Sequence, residues 1–380
     1  MLVSLGFLAG YFVGWRVHGD NVVRLTPDQL DAAARGGQLH QRVIEELQGR
    51  YYRAVDPDEL TQKGIEGMLR SLGDPYTEYL SPQEVRLLDE QAKGEYSGIG
   101  ASLQKKDGGL LITGVFEGSP AEEAGLGPGD VIVAVDGRPT EGEALEASVA
   151  RIKGKPGTEV TLTVRRKGAI GTEDVTLTRR TIPIPQTRAR MLSAGAVDVG
   201  YVQLYEFGGG AGDAVRREID ELEKQGADWI VLDLRYNGGG LLSEAVDVAG
   251  AFVRGEVVST KGLHSPLEVY RSDDAPATYL PVVVLVNGYS ASASEIVTGA
   301  LRDDDRATIV GERTFGKGVV QSIVPLGNGS SLKLTTATYF TPAGTTIHRR
   351  GIRPDVIAPD DPKTKKDETL ARALAFISRQ

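Results

Sequence analysis

The sequence contains no cysteine. This excludes a disulfide framework, thiolate catalysis and a cysteine-based zinc site, but it does not distinguish the cytoplasm from the cell envelope. Histidine is scarce, and its four copies, His18, His40, His264 and His348, follow no HExxH or other metal-ligand spacing. The sequence therefore predicts no metal and no other cofactor.

Basic residues are in the minority. The chain has 43 Lys and Arg residues against 52 Asp and Glu residues, which gives a formal net charge of −9. General nucleic-acid binding requires a basic face, so no nucleic-acid partner is expected.

The uncharged N-terminal run, residues 1–15, is too short for a comfortable membrane span of roughly 20 residues. It has the length of a signal-peptide core, but it lacks a basic region before it and a clear cleavage site after it. A signal sequence, a membrane anchor and a buried helix remain open, and we favour export or anchoring. The expected location is the cell envelope, periplasmic or extracytoplasmic, with membrane attachment through residues 1–17.

The length of 380 residues predicts two or three domains. Residues 26–91 have apolar side chains at helical spacing. Thr26-Pro27-Asp28 and Asp56-Pro57-Asp58 are typical of helix starts, with proline in the first turn. This part of the chain is therefore predicted to be helical.

Residues 281–321 form the segment around which the rest of the chain is organised. Residues 281–286 form a short apolar run, which predicts a strand buried on both faces of a parallel sheet. A turn of small residues follows, and residues 295–301 are predicted to be helical. A serine in this turn would lie beside free N–H groups at the helix start, as acyl transfer requires. The candidates are Ser290, Ser292 and Ser294.

A serine nucleophile needs a base, and Lys317 is the candidate. If residues 317–321 form a strand, Lys317 and Gln321 face the same side, and the Gln321 amide can hold the lysine amine. A lysine acts as a base only when it is neutral, and burial lowers its pKa toward that state. The apolar neighbours expected to bury it are Phe315, Val319 and Val320.

An alternating segment at residues 200–204 and an apolar run at 229–234, each followed by a helical pattern, predict a largely parallel sheet. In such sheets ligands bind beyond the carboxyl ends of the strands. The glycine run at 238–240 lies at such an end, as the serine turn does. The glycine run fits two roles about equally well, a tight turn or part of an oxyanion hole. In the second role, the N–H of Gly238 or Gly239 would bind the oxyanion together with the N–H of Ala293.

Three motifs resemble those of the C-terminal, or tail-specific, processing peptidases. They are Ser-Ala-Ser-Ala-Ser-Glu at 290–295, Gly-Lys-Gly-Val-Val-Gln at 316–321 and Asp-Leu-Arg-Tyr-Asn-Gly-Gly-Gly at 233–240. The resemblance implies a serine endopeptidase with a Ser–Lys–Gln site and an embedded PDZ domain. The family's spacing selects Ser292 as nucleophile, Lys317 as base and Gln321 as the residue that orients the base.

The resemblance also favours the oxyanion role of Gly238 or Gly239 with Ala293. The chain departs from the family at Gly238, where proline is often found, and in its short N-terminus. Because the N-terminal helices of the family often serve dimerisation, a homo-oligomer through this region is expected, with plain helix packing as the alternative.

Residues 93–167 resemble a PDZ domain, with a carboxylate-binding loop at residues 96–100, a groove helix at 143–152 and a final strand at 160–166. A peptide would add to the strand that starts at Ile99, with its carboxylate held by backbone N–H groups. The expected partners are unfolded or C-terminal protein tails. The residues assigned to peptide binding are Ser97, Gly98, Ile99, Gly100, Leu145 and Val149.

Three alternative functions fit the sequence less well. Residues 311–318 resemble a phosphate-binding P-loop, but Gly318 replaces the required Ser or Thr, and a strand-like segment follows where a helix is needed. A Ser–His–Asp hydrolase would use His264 or His348, but no Gly-x-Ser-x-Gly motif is present and His348 lies in a charged segment typical of a surface. A non-catalytic PDZ scaffold or peptide-binding holdase is the alternative function.

The sequence thus predicts a mixed, multidomain α/β protein. Its expected parts are a signal or anchor segment (1–25), a helical region (26–92), a PDZ β-barrel-like domain (93–167), a ββα-type α/β serine protease core (168–360) and a C-terminal tail (361–380). The charged residues 360–367 are expected to be solvated, and residues 369–378 are expected to form a terminal helix.

Overall fold

The computed structural model describes residues 26–106, 108–361, 363–364 and 366–380. The predicted signal or anchor segment, with its attachment through residues 1–17, lies outside these residues. In the described part of the chain, no helix is both long enough and apolar enough to cross a membrane. The chain divides into two compact units, one formed by Glu90–Pro185 and the other by the residues before and after it.

The first described elements are α1 (Pro27–Arg50), α2 (Pro57–Arg70), β1 (Glu78–Leu80) and α3 (Pro82–Lys93). The side chains of Thr26 and Asp56 cap α1 and α2, and a proline follows each cap, so both predicted helix starts are confirmed. The region is not helical throughout, because β1 forms a strand within it.

The unit Glu90–Pro185 consists mainly of short strands. One sheet has the order β3-β4-β5-β7-β8, in which β3 is an edge strand; β6 pairs with β5, and β2 pairs with β9. Its core includes Val160, Leu162 and Val164, which alternate along β7 as expected for a half-buried strand. The elements are β2 (Glu95–Gly98), β3 (Ala101–Lys106), β4 (Gly109–Val115), α4 (Pro120–Glu123), β5 (Val131–Val135), β6 (Arg138–Pro139), α5 (Leu145–Ile152), β7 (Glu159–Arg165), β8 (Glu173–Thr178) and β9 (Arg180–Pro183).

The other unit is built on a six-stranded sheet of order β10-β11-β12-β15-β16-β19. In this sheet β11, β12, β15, β16 and β19 run parallel, and β10 pairs antiparallel with β11. A second sheet has the order β1-β18-β13-β14, with β17 also paired to β18. The elements are β10 (Thr187–Ala194), β11 (Val197–Leu204), α6 (Ala211–Lys224), β12 (Trp229–Asp233), α7 (Leu242–Gly250), β13 (Gly255–Lys261), β14 (Glu268–Ser272), β15 (Val282–Val286), α8 (Ala293–Asp303), β16 (Ala307–Gly311), β17 (Val319–Pro325), β18 (Ser331–Phe340), β19 (Val356–Ile357) and α9 (Glu368–Ile377).

The parallel sheet is buried on both faces. Along β15, Val282, Val284 and Val286 pack with residues of α6, α7 and α8, whereas Val283 and Leu285 pack with residues of α9. The continuous apolar run therefore formed the predicted doubly buried strand, and the mixed α/β class is confirmed.

Arg235 ties the C-terminal segment to the end of β12. Its guanidinium pairs with Asp233 at 2.7 Å, with Asp360 at 3.2 Å and with Asp367 at 2.6 Å, and the Arg235 side chain is only 8% exposed. The sequence predicts that residues 360–367 are solvated: Asp367 is exposed although it is ion-paired, whereas Asp360 is half-buried. Asp367 also caps α9, so the terminal helix is anchored beside the loop that follows β12.

Candidate active site

The turn between β15 and α8 exposes Ser292 more than the two serines beside it. Ser290 Oγ donates to the Leu234 carbonyl at 2.8 Å, Ser294 Oγ donates to the Asn237 carbonyl at 2.9 Å, and both serines are fully buried. Ser292 stands at the start of α8 with φ 57° and ψ −114°, a conformation that costs free energy in a non-glycine residue. Two of the three candidate serines therefore hold the turn together, and the third has the strained backbone found at nucleophile turns.

A fully buried carboxylate joins the serine segment to the lysine segment. Glu295 Oε2 accepts hydrogen bonds from the Ser292 N–H at 3.0 Å and the Lys317 N–H at 2.9 Å. Glu295 Oε1 accepts from the Gly316 N–H at 2.7 Å and from the Thr314 hydroxyl at 2.5 Å. Burial raises the pKa of Glu295, and these donors oppose that shift. The backbone nitrogens of Ser292 and Lys317 thus lie within two hydrogen-bond lengths of each other.

The hydroxyl of Tyr339 joins the same two segments from their carbonyl side. It lies 3.1 Å from the Ser292 carbonyl oxygen and within hydrogen-bond distance of the Lys317 carbonyl oxygen. Burial raises the pKa of Tyr339 well above its ordinary value, so the hydroxyl keeps its proton and remains a donor.

The Lys317 amine lies in a partly desolvated environment. Burial, followed by the charge of Lys333, lowers the pKa of Lys317 below its ordinary value of 10.5. The amine lies 5.2 Å from the ring centroid of Tyr76. Val319 is buried, but Phe315 is 57% exposed, so Phe315 contributes less cover than the sequence predicted.

Gln321 is buried on β17 but is not in contact with the lysine amine. Its Nε2 donates to the Val319 carbonyl at 3.4 Å and to the Thr335 hydroxyl at 3.5 Å. Strand β17 begins at Val319, so the predicted strand start at Lys317 is wrong by two residues. Among the described residues, Lys317 Nζ has no hydrogen bond to Ser292 Oγ or to the Gln321 side chain.

The loop after β12 lies against the nucleophile turn. A Cβ placed on Gly239, which has φ 105°, would come within 2.8 Å of Ser292 Cβ and 3.0 Å of Ala293 N, so only glycine fits there. The Gly239 N–H donates to Asn237 Oδ1 at 2.9 Å, and Asn237 is itself fully buried. The Gly239 N–H is therefore engaged in this conformation.

Two backbone N–H groups, one next to Ser292 in the chain and one next to Gly239, remain available. Ala293 is the first residue of α8, so its N–H has no partner within the helix. Gly238 is exposed, and no acceptor for its N–H is found among the described residues. A free N–H next to a strained serine can bind a developing oxyanion, whereas an engaged one must first be released.

Four residues of the site have no role predicted from the sequence: Glu295, Asn237, Tyr76 and Tyr339. Only Glu295 had a usable signal, because Ser292 followed three residues later by Glu matches the capping-box pattern at a helix start. The two tyrosines come from segments remote in sequence, and nothing local to them predicts the contacts.

The histidines do not form a second candidate site. His264 is exposed, and His348 is half-buried, with a buried Nδ1 that has no partner among the described residues. Neither histidine is hydrogen-bonded to Ser292 within the described residues. The segment after Lys317 forms β17, whereas a P-loop lysine is followed by a helix, so this segment does not have the structure of a P-loop. No group of three or more potential metal ligands is found in the described part of the chain.

The peptide-binding residues predicted in the unit Glu90–Pro185 lie near β2, β3 and α5. Gly98 and Ile99 are buried, and the Ile99 carbonyl accepts from the Ala121 N–H at 2.8 Å. Gly100 has φ 79°, with its carbonyl 2.9 Å from the Phe116 N–H. The others are Ser97, whose Oγ is buried without a partner among the described residues, and the half-buried Leu145 and Val149 on α5.

Three family models match the chain in succession. The model described as "Activating protease CtpB N-terminal domain" matches residues 28–84, the PDZ domain model matches residues 97–177, and the model of peptidase family S41 matches residues 198–358. These matches cover both compact units.

Individual relatives agree with these matches. The chain is 37% identical over 319 residues to the carboxy-terminal processing protease CtpA of Bacillus subtilis, covering 83% of this chain and 68% of that protein. It is 40% identical over 342 residues to a probable CtpA-like serine protease of Staphylococcus aureus, covering 88% of this chain and 67% of that protein.

A solved structure is similar over nearly the whole chain. The photosystem II D1 C-terminal processing protease has a TM-score of 0.53 at 32% sequence identity, covering 92% of this chain and 98% of that one. The chain therefore belongs to peptidase family S41 and is a serine endopeptidase of the carboxy-terminal processing type, with an embedded PDZ domain.

Proposed function

We propose that the chain cleaves peptide bonds with Ser292 as nucleophile and Lys317 as general base. One observation carries this proposal: a single carboxylate oxygen, Glu295 Oε2, accepts hydrogen bonds from the backbone N–H groups of both residues. This holds two segments 25 positions apart in sequence beside each other. The strained backbone of Ser292 and the lowered pKa of Lys317 are the states that a nucleophile and a neutral amine base require.

The proposed reaction proceeds through an acyl-enzyme. The neutral Lys317 amine takes the proton of the Ser292 hydroxyl as its oxygen attacks the peptide carbonyl, and the resulting ammonium then protonates the leaving amine. A water molecule, deprotonated in the same way, releases the acyl group. Gln321 is proposed to orient Lys317 through Oε1, because its Nε2 is engaged by Val319 and Thr335.

For the oxyanion hole we propose the N–H groups of Ala293 and Gly238. Neither N–H has an acceptor among the described residues, while the Gly239 N–H is held by Asn237. Ala293 directly follows Ser292, and Gly238 adjoins Gly239, which packs against Ser292. Gly239 serves by allowing the loop to pack against Ser292. A relative with proline at position 238 has no N–H there and would have to use the N–H at position 239 as the oxyanion donor. The assignment to Gly238 therefore applies to this chain in the conformation described.

We propose that the PDZ domain selects an unstructured C-terminal tail. Within the described residues, the Ile99 N–H has no acceptor, which leaves it available to a terminal carboxylate. The Gly100 N–H is hydrogen-bonded to the Tyr96 hydroxyl, so it would have to exchange this partner for the carboxylate. The strand that follows, β3, is an edge strand, so an extended peptide can pair with it. Leu145 and Val149 on α5 would contact the last side chain.

The N-terminal part is proposed to serve assembly and localisation. Helix α1 has no buried residue, and Leu39 and Val43, which lie four residues apart on one face, are 67% and 49% exposed. We propose that these residues pack against a second copy of the chain. We also propose that residues 1–25 direct the chain to the cell envelope, which cell fractionation of the full chain and of a version lacking these residues would test.

Replacing either proposed catalytic residue should abolish cleavage. Ser292→Ala and Lys317→Ala are expected to lower kcat/KM on an unfolded protein with an apolar C-terminus by roughly a thousandfold or more. Both variants should still bind the tail, because the PDZ residues are unchanged. Normal cleavage by Lys317→Ala would show that the base is another group, and a wild type that binds tails without cleaving them would favour a scaffold or holdase.

The proline and alanine variants of Gly238 separate the two oxyanion assignments. Gly238→Pro removes the N–H and is expected to lower kcat by about 100- to 1000-fold. Gly238→Ala keeps the N–H, and its Cβ would meet nothing within 4 Å, so near-normal activity is expected. If the proline variant retains activity, the second donor is the Gly239 N–H.

The pH dependence of kcat/KM should change when charges near Lys317 are removed, because these charges shift the pKa of Lys317. Cleavage falls as the pH drops through the pKa of Lys317, because the protonated amine cannot accept the serine proton. Lys333 lowers this pKa and Glu78 raises it. Lys333→Gln should therefore move the acidic limb of the profile to higher pH, and Glu78→Gln should move it to lower pH. Shifts in the same direction, or no shift, would contradict the role of Lys317.

The exposed face of α1 predicts a dimer whose stability depends on apolar contact. Sedimentation should show a larger species for the wild type and a monomer for Leu39→Glu combined with Val43→Glu, with unchanged helix content. Gln41→Glu adds a charge away from this face and serves as the control. A wild type that is monomeric at all concentrations would refute the proposal.

A further inference from the structure

A cavity of about 360 Å³ lies directly beside the glycine run, lined by Tyr205, Glu206 and Gly238–Gly240. Its wall is held in place by backbone hydrogen bonds. The Phe207 N–H donates to the Gly239 carbonyl at 3.1 Å, and the Leu241 N–H donates to the Phe207 carbonyl at 2.8 Å. The loop that carries Glu206 is therefore fixed against the loop that carries the proposed oxyanion donor.

The carboxylate of Glu206 has no partner in the described part of the chain, neither a hydrogen-bond donor nor a basic side chain. It is half-buried, and burial alone raises the pKa of Glu206 above its ordinary value. A nearby acid behaves differently: Glu244 accepts from the Gly210 and Gly212 N–H groups at 3.0 and 2.9 Å. A partly desolvated, unpaired carboxylate costs free energy, which a bound cation would offset.

We propose that this cavity is a subsite for a lysine or arginine side chain of the substrate, with the Glu206 carboxylate as its ionic partner. The proposal rests on the proposed function, because it places the subsite next to the reacting carbonyl. Tyr205, 44% exposed on the cavity wall, offers an aromatic surface to the aliphatic stem or the guanidinium. The cation also offsets the unfavourable effect of a negative charge beside a developing oxyanion.

The test uses matched peptides in which lysine or uncharged norleucine stands at each of four positions on either side of the cleaved bond. Wild type should prefer lysine at one position by about tenfold in kcat/KM. Glu206→Gln should reduce this ratio to within about twofold while cleaving the all-neutral peptide at least as fast. Glu223→Gln, an exposed acid on α6, makes the same change of net charge and should leave the ratio unaltered.

Two readouts separate failure of the subsite from failure of the proposed function. Loss of cleavage of the neutral peptide in Ser292→Ala tests the function, whereas the lysine-to-norleucine ratio tests the subsite. Binding gives a second test of the subsite. The affinities for the lysine and norleucine peptides are compared in Ser292→Ala and in the double variant Ser292→Ala/Glu206→Gln. Equal ratios with and without Glu206→Gln at every position, in cleavage and in binding, would overturn the proposal.

Discussion

The arrangement of the site depends on one buried carboxylate. Glu295 accepts four hydrogen bonds, from the backbone of Ser292, Gly316 and Lys317 and from the hydroxyl of Thr314. An ionised carboxylate has about four acceptor positions, so this one is saturated, which compensates for the cost of burying it. Helix α8 carries Glu295 one turn after Ser292, and the segment before β17 wraps around it. The nucleophile turn and the lysine segment are thereby fixed by the same two oxygen atoms.

The parallel sheet brings a third segment to the same place. Strands β12 and β15 are neighbours and run parallel, so the loops after their carboxyl ends meet. The fully buried Asn237 joins them: its carbonyl accepts from the Ala291 N–H at 3.1 Å and from Ser294 Oγ, and its Nδ2 donates to the Leu204 carbonyl at 2.8 Å. Gly239 permits the close approach to Ser292. The ion pairs of Arg235 with Asp360 and Asp367 then fix this loop to the C-terminal segment that leads into α9.

Features that depend on local pattern were predictable from the sequence. The apolar run of β15, the helix α8 after a turn of small residues and the proline-capped starts of α1 and α2 follow from periodicity and capping. Features that depend on distant pairing were not. Strand β1 exists because Glu78–Leu80 pair with Ser331–Lys333, and the start of β17 at Val319 is likewise set by its pairing with β18. Tyr76 reaches Lys317 only through this pairing, and the ionic bonds of Asp360 and Asp367 to Arg235 require the folded sheet.

The central claim is that an uncharged amine at Lys317 takes the proton of Ser292 beside free amide donors. The most direct measurement is a crystal structure of the chain after reaction with a peptidyl phosphonate, which traps a nucleophilic serine as a tetrahedral adduct. We expect a phosphorus–oxygen bond to Ser292 Oγ, with Lys317 Nζ about 3 Å from that oxygen and the Ala293 N–H directed at the phosphonyl oxygen. An adduct on another residue, or an adduct on Ser292 with the Lys317 amine directed away from it, would contradict the account.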